Sequence, residues 1–356
     1  MPRRYLPAIR AWLGPLLFSV LVLGALELGL RGRGFRYAHY PVSMRYVQTL
    51  ANIGSDQAIR QKRFHIDYKL DHILLWRPKA EAGITNSAGF VGPEWTQPKA
   101  AGTIRVIALG DSCTVAGQTP YPAQLEERLA ARRDGPRWEV WNAGVGSWSS
   151  YQGLKLLQTD LLRYRPDVVS IYFGWNDHWL AWAAPDKDLS ALLDRQWRSL
   201  RLIENVRLLQ GLLYIADRFR RGPRFSAQTP PRVALPDYAA NLRAMVQAVR
   251  ASGAEAVLLT APTVLTPEHP VTLRMCRETH NFFDPADIEK VHAAYNEQVR
   301  AAARELRAPL VDLAHEFSRM HSAGDLFTDG IHLTLAGHRR VAELLAPQVR
   351  RAAMRP

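Results

Sequence analysis

From residue 103 onward, five short apolar runs, TIRVIALG, WEVWNAG, DVVSIYFG, EAVLLTAP and PLVDLA, alternate with longer amphipathic stretches. Strands that alternate with helices pair in parallel, because each crossover helix returns the chain to the same edge and covers a face of the sheet. The pattern therefore predicts a five-stranded parallel sheet with helices on both sides. The helices expected to cover it are YPAQLEERLAARR, SSYQGLKLLQTDLLRY, DYAANLRAMVQAVRASG, ADIEKVHAAYNEQVRAAARELR and TLAGHRRVAELLAPQVRRAA. In such a sheet the loops at the carboxyl ends of the strands form the crevice where chemistry is done.

Two regions stand outside the alternation. Residues 11–30, AWLGPLLFSVLVLGALELGL, are about as long as the ~20 residues needed to cross a bilayer as a helix, and Arg3, Arg4 and Arg10 precede them. No A-x-A-like cleavage site follows cleanly, so an uncleaved anchor is favoured over a signal peptide. Glu27 weakens the span, and Arg31, Arg33 and Arg36 beyond it put basic residues on both sides, so the positive-inside rule does not fix the orientation. By analogy with signal anchors, the expectation is a short inside N-terminus and a single-pass protein with an extracytoplasmic catalytic body.

The second region is an excursion between the third and fourth strands, residues 178–235. Its middle, residues 188–221, carries leucines at helical spacing with Arg195, Arg198, Arg201 and Arg207 between them. It reads as a helix packed on the core with a solvated basic face, or as a lid or a surface resting on lipid headgroups. The expected organisation is an anchor over 1–36, an irregular stalk or apron over 37–102, and a catalytic domain over 103–356 with the insertion 178–235.

Lys and Arg outnumber Asp and Glu by 46 to 33, a formal charge of +13 that suits anionic surroundings. The arginines are scattered, with no zinc-finger spacing and no aromatic RNA-binding signature, so no nucleic-acid partner is expected. Cys113 and Cys276, the two cysteines, are expected as free thiols, Cys113 serving as a small buried hydrophobe. No metal is expected, because His178 and His338 lack neighbouring ligands at metal spacing.

Chemistry concentrates at the strand ends. Ser112 follows the first strand in VIALGDSCTV; taken alone it could merely cap a helix. A nucleophilic serine needs a base, an orienter for that base and donors for an oxyanion. FTDGIHLTLAGH supplies Asp329 three residues before His332, a spacing at which one loop presents both groups. NAGVGSWSS brings Gly144 and Gly146, whose backbone can approach a ligand, and FGWND brings Asn176, whose amide can donate to an oxyanion. G-x-S-x-G, a second Asp at position 113, and G-x-G-x-x-G are absent, which disfavours an α/β-hydrolase, a haloacid-dehalogenase-type phosphatase and a dinucleotide-binding protein.

GDS at 110–112, Asn-Ala-Gly at 142–144, Gly-Trp-Asn-Asp at 174–177 and Asp-Gly-Ile-His at 329–332 resemble, in order, the four blocks of the SGNH, or GDSL, hydrolases. The resemblance spans roughly residues 103–350. It implies a flavodoxin-like three-layer α/β/α fold and ester hydrolysis without metal or organic cofactor. It also implies roles: Ser112 as nucleophile, His332 as base, Asp329 as its partner, and the Ser112 N–H and Asn176 amide as oxyanion donors. The family's second block has a glycine five residues after its Asn; here that position is Ser147, with Gly146 beside it, and either N–H could be the third donor. Gly146, Trp148 and Trp175 are candidate substrate contacts, although Trp148, Trp175, Trp179 and Trp182 are equally good core residues. Two activities fit: an esterase acting on an acylated cell-envelope lipid or polysaccharide, and an acyltransferase in which a sugar hydroxyl replaces water.

Overall fold

The computed structural model describes residues 6–37, 68–131, 135–181, 184–219, 225–279, 282 and 284–354. In chain order the principal elements are helix α1 (Leu6–Gly32), strands β1 (Tyr68–Asp71), β2 (Leu75–Pro78) and β3 (Thr103–Gly110), and helix α2 (Tyr121–Ala130). They continue with β4 (Arg137–Gly144), α3 (Ser150–Thr159), β5 (Val168–Tyr172), α4 (Asp186–Asn205), α5 (Arg207–Arg218) and α6 (Leu235–Ala251). The chain closes with β6 (Glu255–Leu259), α7 (Asp287–Leu306), β7 (Leu310–Val311) and α8 (Leu335–Ala353). Two compact units divide it: Met1–Val42 with Leu192–Pro223, and Ser43–Ala191 with Arg224–Pro356.

The larger unit is built on a parallel sheet of order β4-β3-β5-β6-β7. Strand β5, VVSIY, is buried at every position and β3 at all but one, as strands covered on both faces must be. Helices α2 and α8 pack together on one face, while α3, α6 and α7 pack on the other. The chain leaves β3 for the edge strand β4 and comes back to β5 on β3's other side, so the strand order reverses beside β3. That reversal opens the crevice in which doubly wound sheets bind ligands. Helix α7 turns Ile288, His292, Tyr295, Val299 and Ala302 inward at the three-to-four-residue spacing of one helical face.

Three expectations need adjustment. Strand β7 has only two residues, because Asp312 ends it by capping the next helical turn, its carboxylate accepting from the His315 N–H. Within the stretch expected to be irregular, β1 and β2 form an antiparallel hairpin too short to show periodicity in sequence. Its Leu75 and Trp76 are buried, and the Leu74 and Trp76 carbonyls accept from Gln152 Nε2 and Trp148 Nε1 at 3.1 Å each. The helical stretch of the insertion breaks at Val206, whose extended backbone separates α4 from α5. Entry and exit of the insertion run side by side: Leu180 bridges Pro231, and the N–H groups of Arg232 and Val233 donate to the carbonyls of Trp179 and Asp177.

In the smaller unit, Leu13–Gly32 has a mean hydropathy of 2.0 and none of it is buried within the protein, so α1 is long and apolar enough to cross a membrane.

Candidate active site

The chain leaves β3 at Gly110 and turns at once into one helical turn, Ser112–Val115. Asp111 caps it, its Oδ1 accepting from the Cys113 N–H at 2.9 Å. The turn is wedged between strand ends. A side chain at Gly110 would collide with Thr114 Oγ1 and come within 2.7 Å of the Tyr172 carbonyl, and one at Gly144 would lie 2.8 Å from Thr114 Cβ and Val115 N. Gly144 therefore admits the turn that carries Ser112, and it is this packing, not ligand approach, that requires a glycine there. Asn142 reinforces the wedge, its Nδ2 donating to the Thr114 carbonyl at 3.1 Å and its Oδ1 accepting from Gly144 N–H at 2.9 Å.

His332 Nε2 stands 2.9 Å from Ser112 Oγ, and His332 Nδ1 stands 2.7 Å from Asp329 Oδ2. The N–H groups of Ile331 and His332 donate to Asp329 Oδ1 at 3.0 and 2.8 Å, which fixes the carboxylate before it meets the imidazole. Gly330 makes this tight turn with φ of 88°, and its carbonyl accepts from Thr263 Oγ1 at 2.8 Å. Burial raises the Asp329 carboxyl, but the His332 charge and these hydrogen bonds outweigh it and hold it well below the ordinary carboxylate range. Burial lowers His332, yet the charge of Asp329, its hydrogen bond and the charge of Asp111 prevail and leave the imidazole more basic than usual. A hydroxyl, an imidazole oriented by a carboxylate and a tautomer set by that carboxylate make an arrangement able to transfer an acyl group through serine.

The sequence model of the GDSL-like lipase/acylhydrolase family matches residues 108–340. The chain belongs to this family. It is accordingly a hydrolase acting on ester bonds. No curated protein matches the chain. Among solved structures it is similar to a lipase/acylhydrolase from Enterococcus faecalis, at 16% identity over 69% of this chain and 95% of that one, TM-score 0.45. It is also similar to the acetyl xylan esterase AlAXEase, at 18% identity over 68% and 98%, TM-score 0.43, and to TesA, at 21% over 70% and 99%, TM-score 0.43.

Around the GDSL serine the remaining sequence-derived candidates divide. Asn176 is buried, and its Nδ2 donates to Asp111 Oδ2 at 3.1 Å, leaving one amide proton for a ligand. Burial pushes the Asp111 carboxyl up to about 6, against the pull of the Cys113 N–H, the His332 charge and the Asn176 amide. Ser147 adopts a left-handed backbone, φ 64°, in the loop after β4, and Gly146 lies against Tyr68 of the hairpin. Among the described residues, no protein acceptor takes the N–H of Ser112, Gly146 or Ser147.

Trp148 and Trp175 are corrections. Both are essentially inaccessible: the Trp148 indole N–H is spent on the Trp76 carbonyl, and Trp175 stacks on His292 with ring centres 4.0 Å apart. They are core residues rather than ligand-facing ones. Trp179 is buried as well, and Trp182 lies outside the described residues. His178 and His292 pair in the same interior, Nε2 to Nδ1 at 3.0 Å, and burial holds both imidazoles low, His292 at about 4. His338 accepts the Tyr121 N–H at 3.2 Å, and Cys113 and Cys276 are free thiols.

Sequence reasoning missed Asp111 and Arg232. Asp111 directly precedes Ser112 and is of a residue type favoured at helix N-caps, a signal that could have found it, whereas its grip on Asn176 is a tertiary fact. Arg232 returns from the insertion and is almost fully buried, with Nη1 on the Ser147 carbonyl at 2.8 Å and Nη2 on Gln152 Oε1 at 3.1 Å. Its Nη2 and Nε also meet Asp186 at 2.8 and 3.2 Å. No signal in the sequence separates it from the other arginines of the insertion.

Proposed function

We propose that this chain is a membrane-anchored serine esterase that hydrolyses an acyl ester on a cell-envelope lipid or polysaccharide. The observation that carries the reading is the continuous relay from Ser112 Oγ through the His332 imidazole to the Asp329 carboxylate, with contacts of 2.9 and 2.7 Å. Ser112 Oγ adds to the ester carbonyl while His332 Nε2 takes its proton; Asp329 holds the resulting imidazolium. The tetrahedral oxyanion is received by the Ser112 N–H, the N–H of Ser147 or its neighbour Gly146, and the spare Asn176 amide proton. His332 returns the proton to the departing alcohol, and a water, deprotonated by the same imidazole, releases the acid and regenerates Ser112.

The substrate class rests on the apolar α1 and on the +13 charge, which together favour work beside an anionic bilayer. By analogy with signal anchors, the catalytic body is proposed to lie on the extracytoplasmic side.

Two measurements test this reading. A fluorophosphonate should label the protein and fail to label a folded Ser112→Ala variant; undiminished labelling at another serine would reassign the nucleophile. An ester panel of increasing acyl length, run with and without a saccharide acceptor, identifies the product. Free acid is expected, and an acylated saccharide would replace the hydrolase by a transferase.

A further inference from the structure

Glu27 is an acidic side chain five residues inside the apolar span, where a bare carboxylate is costly. It is not bare. Its Oε1 accepts from Arg31 Nε at 2.7 Å and from the Arg207 N–H at 3.0 Å, and its Oε2 accepts from the Leu208 N–H at 2.7 Å. The last two are orphan donors in the first turn of α5, so Glu27 acts as that helix's N-terminal cap from another element. Arg31 also donates to the Asn205 carbonyl at 2.7 Å, just before α5 begins.

One face of α5 lies against α1 and the residues that follow it. Gln210 accepts from the Tyr37 N–H at 3.0 Å, and Tyr214 meets Phe35 and Tyr37 edge-on, ring centres 6.2 and 5.4 Å away. A different face is apolar and uncovered. Leu208, Leu212, Ile215 and Phe219 are spaced by four, three and four residues, which sets them in one stripe along the helix. Leu212, Ile215 and Phe219 are 57%, 56% and 83% exposed.

We infer that α5 is an interfacial helix that lays this stripe into the bilayer surface beside α1. The inference rests on α1 spanning the membrane, and the depth follows from it. Five residues at 1.5 Å each set Glu27, and with it the start of α5, about 8 Å inside the end of the span, within the ~5–10 Å to which interfacial helices sink. The exposed apolar residues Leu21, Leu23, Leu26 and Leu28 of α1 belong to the same unit as the stripe. Arg33, Arg207 and Arg218 supply the cationic partners that anionic headgroups attract. A lipid surface satisfies both the stripe and the arginines.

The test places an environment-sensitive fluorophore on single cysteines of the full chain, in a Cys276→Ser background with Cys113 left buried. The protein is held in phosphatidylcholine vesicles containing phosphatidylglycerol. The labelled variants are Leu21→Cys in α1, Leu212→Cys and Ile215→Cys in α5, and Lys290→Cys as an exposed control on α7. Leu212 and Ile215 labels should be quenched by lipids carrying a nitroxide near the headgroup and protected from aqueous iodide several-fold relative to Lys290. The Leu21 label should respond to a nitroxide deep in the acyl chain. If Leu21 reports lipid while Leu212 and Ile215 are quenched by iodide as fully as Lys290, the interfacial helix is refuted and the anchor stands. If Leu21 itself reports water, the anchor fails and α5 loses its depth argument with it. Protection of Leu212 and Ile215 from iodide and nitroxide alike means that protein, such as a second copy of the chain, covers the stripe, and that also overturns the inference.

Discussion

Replacing Arg232 by Met keeps most of the side chain's volume and removes its charge. The guanidinium bonds both oxygens of Asp186, the Ser147 carbonyl and Gln152, and both Arg232 and Asp186 are only 2% exposed. Without Arg232, the Asp186 carboxylate keeps the Ser149 hydroxyl at 2.6 Å but has lost its counter-charge in the interior. Breaking one side of a buried ion pair costs about 3–5 kcal/mol, so urea unfolding of Arg232→Met should show a loss of that size. Asp186→Asn in the same chain removes the stranded charge, and the double variant should regain a substantial part of the loss. Activity should separate the partners further. Arg232 holds the carbonyl of Ser147, whose left-handed backbone presents a proposed oxyanion N–H. Losing such a donor outright costs about 10²–10³ in kcat, so a loosened loop should cost a sizeable share of that on a small soluble ester. Asp186→Asn leaves the Arg232 to Ser147 contact in place and should retain more kcat than Arg232→Met. If Arg232→Met unfolds at the wild-type urea concentration with unchanged kcat, the pair carries neither stability nor loop position, and the reasoning fails.

Asn176→Ala should lower kcat by about 10²–10³ with KM little changed, measured on a small ester at saturation. Ser147→Gly should leave kcat near wild type and, because glycine adopts positive φ without strain, raise stability by up to about 1 kcal/mol; a large loss of kcat would show that the hydroxyl takes part. Proline at 147 is incompatible with φ of 64° and would test only the fold. Asp329→Asn should reduce kcat by about 10⁴ through loss of the correct imidazole tautomer. kcat/KM should rise with pH through a His332 midpoint above the free imidazole value of 6.5, and Asp329→Asn should move that midpoint down. The sign for stability is opposite: His332's contribution is complete below pH 6.5 and is lost as pH rises through its folded value, a trend that comparison of wild type with His332→Gln should reveal.

Local pattern announced every strand of the parallel sheet and nearly all its helices, because strands buried on both faces leave continuous apolar runs. β3 runs over the eight residues read from the sequence, Thr103–Gly110. Ser112 was legible because it sits at the end of β3, and Asp329 and His332 because their three-residue spacing lets one loop present both, although that loop lies well beyond β7 and just before α8. What escaped depended on contacts between distant segments. Trp148 and Trp175 have the same identity whether they face a ligand or the core, and only the Trp76 carbonyl and the His292 ring decide it. Glu27 looked like a flaw in an apolar span until the N–H groups of Arg207 and Leu208, 180 residues and more downstream, were seen on it. The β1–β2 hairpin has strands of four residues, too few to show alternation.

Ser112 and His332 are 220 residues apart, and their bond is made at a loop that directly precedes α8, the last helix. A chain synthesised only as far as Asn176 therefore lacks both the imidazole that meets Ser112 and the carboxylate that meets that imidazole. The loop that carries Asp329 and His332 runs directly into α8, which packs against α2. On the proposed reading, a chain cut before Asp329 keeps Ser112 and Asn176 but has neither the imidazole nor the carboxylate that activates the serine.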